Sequence, residues 1–472
     1  MRTSAALFCS GRADRIGIPD AARLCAGAIL FVGVALGFLI APTASSGWHA
    51  NETQFSSPAC GLQTDERIHI PSDWMTFVPP PQGQSYRDQV FGCSVVRLTD
   101  AKRAGAGQFH YYSTLTPISA DDSKVFVGGH VTDLAGRPIV SEQNMPQANQ
   151  GTLLWDAIDG NVFYFARKNS LMKATITGGN LKSSVVHTFS EYKVVVLPDK
   201  TDLSIDGQSF AMWAGTTQDV GQLEIFTYNM KSGAKRKPYI TKCTQTVAYV
   251  QGPCVHGITQ TADNNVIIGF ANDGSCEECG NRLWNGQGLV HVQDGTNHID
   301  TGYDLDGNSV FIGVGQPSIL PGERNACPSG WGLDVRRLSD VHSATCLMDK
   351  QPDWHVSYRG SESQPWAALS FFDGRKPGPE LFNNNRDFRQ PSSSNWKLYE
   401  DEIVIARIDG NAVYRLAHAR SRSAEGYGAQ PKAAISRDGR YVVFDSNMAY
   451  AQEGCPAGLQ QDCADVYLIR IH

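Results

Sequence analysis

An all-β chain, folded as a seven-bladed β-propeller with an irregular N-terminal extension, is what the sequence predicts. Three observations carry that reading: a hairpin phrase that recurs, a spacing between copies that suits four-stranded sheets, and the lack of any sustained helical period. The clearest copy is Gln430-Pro-Lys-Ala-Ala-Ile-Ser-Arg-Asp-Gly-Arg-Tyr-Val-Val-Phe444. It holds an apolar strand ending at Ser436, a turn at Asp438-Gly439 whose glycine tolerates positive φ, and a second strand from Tyr441.

Related phrases are Ser119-Ala-Asp-Asp-Ser-Lys-Val-Phe-Val127, Ala157-Ile-Asp-Gly-Asn-Val-Phe163, Ser204-Ile-Asp-Gly-Gln-Ser-Phe210, Thr261-Ala-Asp-Asn-Asn-Val-Ile267 and Asp304-Leu-Asp-Gly-Asn-Ser-Val-Phe311. A degraded copy, from Gly360 to Leu369, keeps the strand and loses the turn. Successive starts lie 38, 47, 57, 43, 57 and 75 residues apart, all but the first at or above the roughly 40–50 residues of one propeller blade. The surplus is expected in loops. Radial repetition of short sheets protects their edges, which is why seven such units read as a closed ring.

In chain order, residues 1–46 are expected to be a signal peptide or N-terminal membrane anchor. Arg2, Arg12, Arg15 and Arg23 precede an uncharged apolar run from Leu24 to Ala41, and small residues follow at Ala44-Ser-Ser-Gly47. Positive residues before the run place the remainder on the extracytoplasmic side, periplasmic or secreted, with Leu24 to Ala41 as the candidate inner-membrane anchor. Residues 47–89 are polar and irregular, stiffened by Pro79-Pro-Pro81, and are read as a packed extension. Residues 90–472 are the propeller. Its strands are expected at Val90 to Thr99, Lys124 to Gly128, Thr152 to Trp155, Val162 to Ala166, Leu171 to Ile176, Val185 to Phe189, Phe210 to Ala214 and Leu223 to Tyr228. Further strands are expected at Val266 to Phe270, Gly288 to Gln293, Val310 to Val314, Leu333 to Leu338, Trp366 to Phe372, Ile403 to Ile408, Val413 to Leu416 and Asp465 to Ile471. The ring closes most simply if the first of these strands pairs with the last.

A hydrophobic share of 41% with 19% charged residues is ordinary for a globular chain. Removing residues 1–46 takes away four Arg and two Asp, so the net charge moves from −6 to −8. No basic stripe is visible, and nucleic acid is excluded as a partner. Beyond the leader stand ten of the 12 cysteines, an even number that argues for disulfides in an oxidising compartment. Local pairing gives Cys60–Cys93, Cys243–Cys254, Cys276–Cys279, Cys327–Cys346 and Cys455–Cys463. Cys276 and Cys279 with Cys243 and Cys254 would alternatively make a zinc set. Asp304-x-Asp306-x-Asn308 is a plain turn, since Gly307 sits between would-be calcium ligands and no glutamate closes the loop. No Gly-x-Ser-x-Gly elbow is present, which removes a propeller-peptidase reading.

The segment from Asp159 to Gly179, continuing through Val185 to Phe189 and Ser204 to Gly207, resembles a blade of the oligogalacturonate-lyase-like propellers, relatives of the periplasmic propeller of the Tol system. The Ser-Arg-Asp-Gly-Arg-Tyr-Val-Val-Phe phrase at 436–444 is similar to the repeat of that whole group. The resemblance spans about residues 90–472 and speaks to fold more than to function.

Residues opening the innermost strand of each blade crowd one mouth of the central channel. His256 lies five residues before Thr261, His355 six before Ser361, Gln430 six before Ser436 and His110 nine before Ser119. His256, His355 and Gln430 are the candidate ligands for a divalent Mn or Zn cation, and the resemblance implies a Mn²⁺ site of histidines and a glutamine there. For β-elimination on a uronic-acid sugar, Arg359 is the candidate charge clamp, Tyr358 the acid, and His110 or Lys432 the base. Trp331, Trp354 and Trp366 lie where they would stack on a sugar or fill blade cores, with the core as the leading expectation. Two functions follow: an exported propeller binding an acidic oligosaccharide at the axial mouth, with polysaccharide-lyase-like activity, or a non-catalytic scaffold for a cell-envelope protein.

Overall fold

Seven antiparallel sheets are arranged so that every neighbouring pair, including the last with the first, shares its own hydrophobic core. The computed structural model describes residues 57–74, 76–248, 254–270, 280–293, 298–315, 326–330, 332–349, 354–360, 363–371, 396–421, 427–450 and 463–472. Blade 1 has strands Val125–Val127, His130–Thr132 and Pro138–Val140, with Ile118 bridged to Val125 on the inner side. Blade 2 is Leu154–Trp155, Val162–Arg167, Ser170–Thr177 and Asn180–Thr188. Blade 3 runs Val194–Val196, Ser209–Gly215 and Glu224–Asn229, with Ala234–Lys235 and Tyr239–Ile240 both on its third strand. Blade 4 is Val255–Gln260, Val266–Phe270, Gly280–Trp284 and Leu289–Gln293, and blade 5 is Ile299–Tyr303, Ser309–Gly315, Gly332–Arg337 and Asp340–Asp349. Blade 6 is Trp354–Ser357, Trp366–Phe371, Glu402–Arg407 and Val413–His418.

Blade 7 combines the chain's two ends. Ala434–Ile435, Tyr441–Ser446 and Asp465–Arg470 are joined by Ser94–Arg97 and then Ser85–Arg87. Val95 faces Ile469, as the closure argument expects. Arg97 reaches Asp465 at 2.8 Å across that join, and the other carboxylate oxygen accepts from Thr99 Oγ1 and Ala101 N, both at 2.8 Å.

Why these stretches read as near-continuous apolar runs is now clear. Along Val162–Arg167, Phe163 and Phe165 enter the core shared with blade 1, whereas Val162, Tyr164 and Ala166 enter the core shared with blade 3. The strand's two faces are each covered by a neighbouring sheet, so the period-2 alternation between water and core vanishes. Ile403 and Ile405 against Val404 and Ala406 repeat the pattern between blades 7 and 5. Trp366 is buried between blades 6 and 7, as expected. Trp331 and the side chain of Trp354 lie outside the described residues.

The hairpin phrases all join the first strand of a blade to the second. Four share one hydrogen-bond device: a Ser or Thr hydroxyl donates to the Asp two residues on and accepts from a backbone N–H past the turn. In Ser119, Ser204, Thr261 and Ser436 the first bond measures 2.7, 2.5, 2.5 and 2.6 Å. The second comes from Lys124, Ser209, Asn265 and Tyr441. This closes the turn without calling on the strands. Gly439 sits at φ +75°, and a Cβ there would meet the Gln364 side chain at 2.8 Å, so the turn needs glycine twice over.

Two short strands form inside the stretch read as irregular. Ser85–Arg87 is the outermost strand of blade 7, and Leu62–Gln63 adds a fifth strand to blade 6 by pairing with Tyr414 and Arg415. The extension thereby covers a sheet edge. It is held by the Cys60–Cys93 disulfide and by Ala59 N donating to Ile471 O at 2.7 Å. Cys243–Cys254 and Cys327–Cys346 also form as expected. The pairs Cys276–Cys279 and Cys455–Cys463 involve residues outside the described ones. So does the apolar run from Leu24 to Ala41; among the described residues no helix is long and apolar enough to cross a membrane. Loss of the Cys60–Cys93 bridge, which spans 33 residues, is expected to cost about 3–4 kcal/mol of stability by freeing the unfolded chain. Urea denaturation of the Cys60→Ala/Cys93→Ala variant measures it.

Candidate functional site

Inner strands run beside the propeller axis, with their turns to the next strand at one end and their opening residues at the other. His256 lies in the first strand of blade 4, His298 directly precedes that of blade 5, and His355 lies in that of blade 6. Lys200 leads toward the turn of blade 3, and Tyr112 and Thr114 belong to the segment entering blade 1. The imidazoles of His298 and His355 lie 4.5 Å apart between centroids, and Tyr112 meets His355 edge-on at 5.5 Å. Lys200 Nζ stands 5.6 Å from the Tyr112 ring centre. Tyr112, Thr114, Lys200, His256, Asn281 and His298 line one cavity of about 30 Å³ that opens to solvent. That is room for one or two waters or a single small group. A whole sugar ring stays outside.

Two lysines, Lys200 beside Asp199 and Lys432 paired with Asp445, set the electrostatics of this end. Burial, then the neighbouring His298, Lys432, Lys200 and His110, hold His355 well below the ordinary imidazole range. His256 is pushed down to about 4 by burial and by Lys200. Burial lowers Lys200 to about 8, Asp199 partly offsetting it. Lys200 therefore keeps most of its charge at pH 7, and both imidazoles are neutral there.

Beside the cavity His110 is fully buried and pinned at both ring nitrogens. Its N–H and Nδ1 meet Asp445 Oδ1 at 3.1 and 2.8 Å, and Nε2 lies 2.7 Å from the Lys432 carbonyl oxygen. Lys432 Nζ reaches Asp445 Oδ2 at 3.1 Å and donates to the Gln430 carbonyl at 2.9 Å. A histidine so held cannot take a substrate proton without breaking the fold's own bonds. His110 and Lys432 thus form a buried structural group with Asp445.

Nearer the turn end, charged side chains meet across the axis. Arg359 of blade 6 lies 3.0 Å from Asp300 of blade 5 and 3.8 Å from Asp202 of blade 3, and donates to the Thr114 carbonyl at 2.6 Å. Asp202 also pairs with Arg437 of blade 7 at 2.8 Å and accepts from Thr116 N at 3.1 Å. Blades 3 and 6 are not neighbours, so their contact crosses the ring. Five blades are tied at one buried point. Burial raises Asp300 to about 7 against the opposing pull of Arg359. Tyr358 is buried, its N–H on Asp300 at 2.7 Å and its hydroxyl on the Tyr303 carbonyl at 2.5 Å, and burial raises its pKa.

Arg359 and Tyr358 therefore serve this axial lock, not a substrate pocket. The donor set His256, His355 and Gln430 does not fit a divalent cation. His256 lines the cavity and His355 and Gln430 do not; the His355 ring lies tilted 4.5 Å from that of His298, and the Gln430 backbone carbonyl accepts from Lys432 Nζ. Among the described residues no three His, Cys, Asp or Glu side chains form a group able to hold one. Lys200, His298, Tyr112, Asp202, Asp300 and Asp445 escaped the sequence reading. His298 had a signal: it stands six residues before Asp304, the offset that singled out His355 and Gln430.

No family model matches the chain, and no curated protein matches it. Among solved structures it is similar to an oligogalacturonate lyase from Vibrio parahaemolyticus, at 9% identity and TM-score 0.48, over 82% of this chain and 96% of that one. TolB from Acinetobacter baumannii gives 13% identity and TM-score 0.32 over 66% and 63% of the two chains. The β-propeller domain of the Trilobed protease from Pyrococcus furiosus gives 11% and 0.29 over 60% and 74%. The chain has the β-propeller architecture, read from its own seven sheets and the seven cores between them.

Proposed function

We propose that this chain is an extracytoplasmic β-propeller that binds a carboxylate-bearing ligand, an acidic saccharide foremost, at the axial mouth. One observation carries the reading: Lys200, His256, His298 and Tyr112 converge from separate blades on one small cavity, where Lys200 supplies an ammonium group. The cavity admits a carboxylate end-on while the rest of the sugar lies outside. The three disulfides support an oxidising compartment. Binding leads over β-elimination because the candidate acid, clamp and bases, Tyr358, Arg359, His110 and Lys432, are engaged in bonds internal to the fold.

Calorimetric titration with oligogalacturonate and with a neutral oligosaccharide of equal length tests this. The acidic ligand is expected to bind and the neutral one not. Lys200→Ala is expected to weaken binding at least about tenfold, since a charged hydrogen bond contributes about 1.5–3 kcal/mol. Affinity should fall as pH rises through about 8, where Lys200 loses its proton. Equal affinity for both ligands overturns the reading. The ultraviolet absorbance of an unsaturated product, followed in the same samples, reports any lyase turnover and would put the enzymatic reading first.

A further inference from the structure

Lys200 is built into the fold with unusual care for a lysine. Its carbonyl accepts from Thr259 Oγ1 at 3.2 Å, and the next residue's hydroxyl, Thr201 Oγ1, accepts from Gln260 N at 2.9 Å, so its backbone is fixed to blade 4. The aliphatic stem lies across Gly257, where a Cβ would sit 2.7 Å from Lys200 Cδ. Glycine at 257 makes the room that lets the stem carry Nζ into the cavity. Among the described residues no hydrogen bond or ion pair engages that Nζ; its neighbours are the Tyr112 ring face, His256 and, acting through its charge alone, the Asp199 carboxylate.

We infer that Lys200 is a carbonyl-trapping amine, which condenses reversibly with a small aldehyde or ketone that also bears a carboxylate, such as the open-chain form of a sugar acid. The inference rests on the axial-mouth reading above and adds a covalent step to it. The neutral amine attacks the carbonyl carbon, a C–N bond forms, and the carbonyl oxygen leaves as water after taking both amine protons. The product is an imine, Lys–N=CR2, with one R a hydrogen for an aldehyde, and it becomes the iminium on taking up one proton from solvent. No oxidant, reductant or metal is needed. A buried amine without a partner titrates low, and Lys200, at about 8, offers far more free base at neutral pH than an exposed lysine near 10.4. His256, neutral at pH 7 within the same cavity, is placed to carry protons during dehydration.

The test uses the full chain incubated with glyoxylate and sodium cyanoborohydride at pH 7, followed by peptide mass spectrometry. Lys200 is expected to carry the reduced adduct at least about tenfold faster than the exposed lysines, from its larger free-base fraction. Gly257→Ala, which crowds the stem, is expected to slow Lys200 labelling severalfold while the other lysines react as before. Labelling of Lys200 no faster than that of surface lysines overturns the inference. If oligogalacturonate still binds in that case, the covalent step alone has failed; if it does not, the axial-mouth reading has failed with it.

Discussion

Arg415→Ala is expected to lower stability by about 3–5 kcal/mol, because it leaves a carboxylate buried without its counterion. Arg415 and Glu402 are both fully buried, on adjacent strands of blade 6. Arg415 Nε lies 2.6 Å from Glu402 Oε2 and Nη2 binds the other carboxylate oxygen, a two-point contact. Nη1 reaches Asp65 at 3.2 Å and the Arg67 carbonyl at 2.7 Å, and the guanidinium lies over the rings of Phe91 and Tyr399. One side chain therefore holds both the blade and the extension that caps it. Urea denaturation of the variant gives the loss, and limited proteolysis should cut first within the extension. Glu402→Leu combined with Arg415→Met should recover much of the stability, since removing both charges removes the unpaired one. A cost under about 1 kcal/mol for the single change would show that water reaches the pair.

At the axis, Arg359→Ala is expected to cost about 1.5–3 kcal/mol, the worth of a hydrogen bond to a charged group, because Asp300, with its raised pKa, can take up a proton in place of the lost counterion. Asp202 keeps Arg437, but Asp300 loses its ion-pair partner and the Thr114 carbonyl loses a donor. Asp300 also sets a pH dependence whose sign follows from its raised pKa. Its contribution is fully present below the unfolded value near 3.8 and is lost as pH rises through about 7, because the folded state holds a proton that the unfolded chain has released. Stability should fall between about pH 4 and pH 7, and Asp300→Asn should flatten that slope. Denaturation midpoints of both proteins at pH 5 and pH 8 measure it; an unchanged slope in the variant would assign the pH dependence elsewhere.

How much was legible beforehand follows from the range of each interaction. The Ser-x-Asp turn is closed by bonds within five residues, so Ser436 and Asp438 announce their hairpin wherever they occur. The closing pair of Val95 with Ile469 was legible for another reason: a ring leaves two unpaired end strands whose pairing removes two edges. The site was read in part. Offsets from the turns picked out His256, which lines the cavity, and His355, whose ring lies beside that of His298, while His110, Tyr358 and Arg359 are held by bonds internal to the fold. Each of these is spent on a partner from another blade, as His110 is on Asp445 and Arg359 on Asp300 and Asp202.

The sequence by itself determined the local units: seven hairpins, the apolar runs that become sheets covered on both faces, and the three described cysteine pairs, each between near neighbours among the cysteines. Only the tertiary structure decided that Lys200 meets His256 and His298 in one cavity, and that Arg359 bridges blades that are not neighbours. The reason is physical. A hairpin depends on dihedrals and hydrogen bonds between residues close along the chain, whereas contacts across the axis depend on seven sheet-to-sheet angles summing to a closed turn, and no residue pattern within one blade encodes that sum.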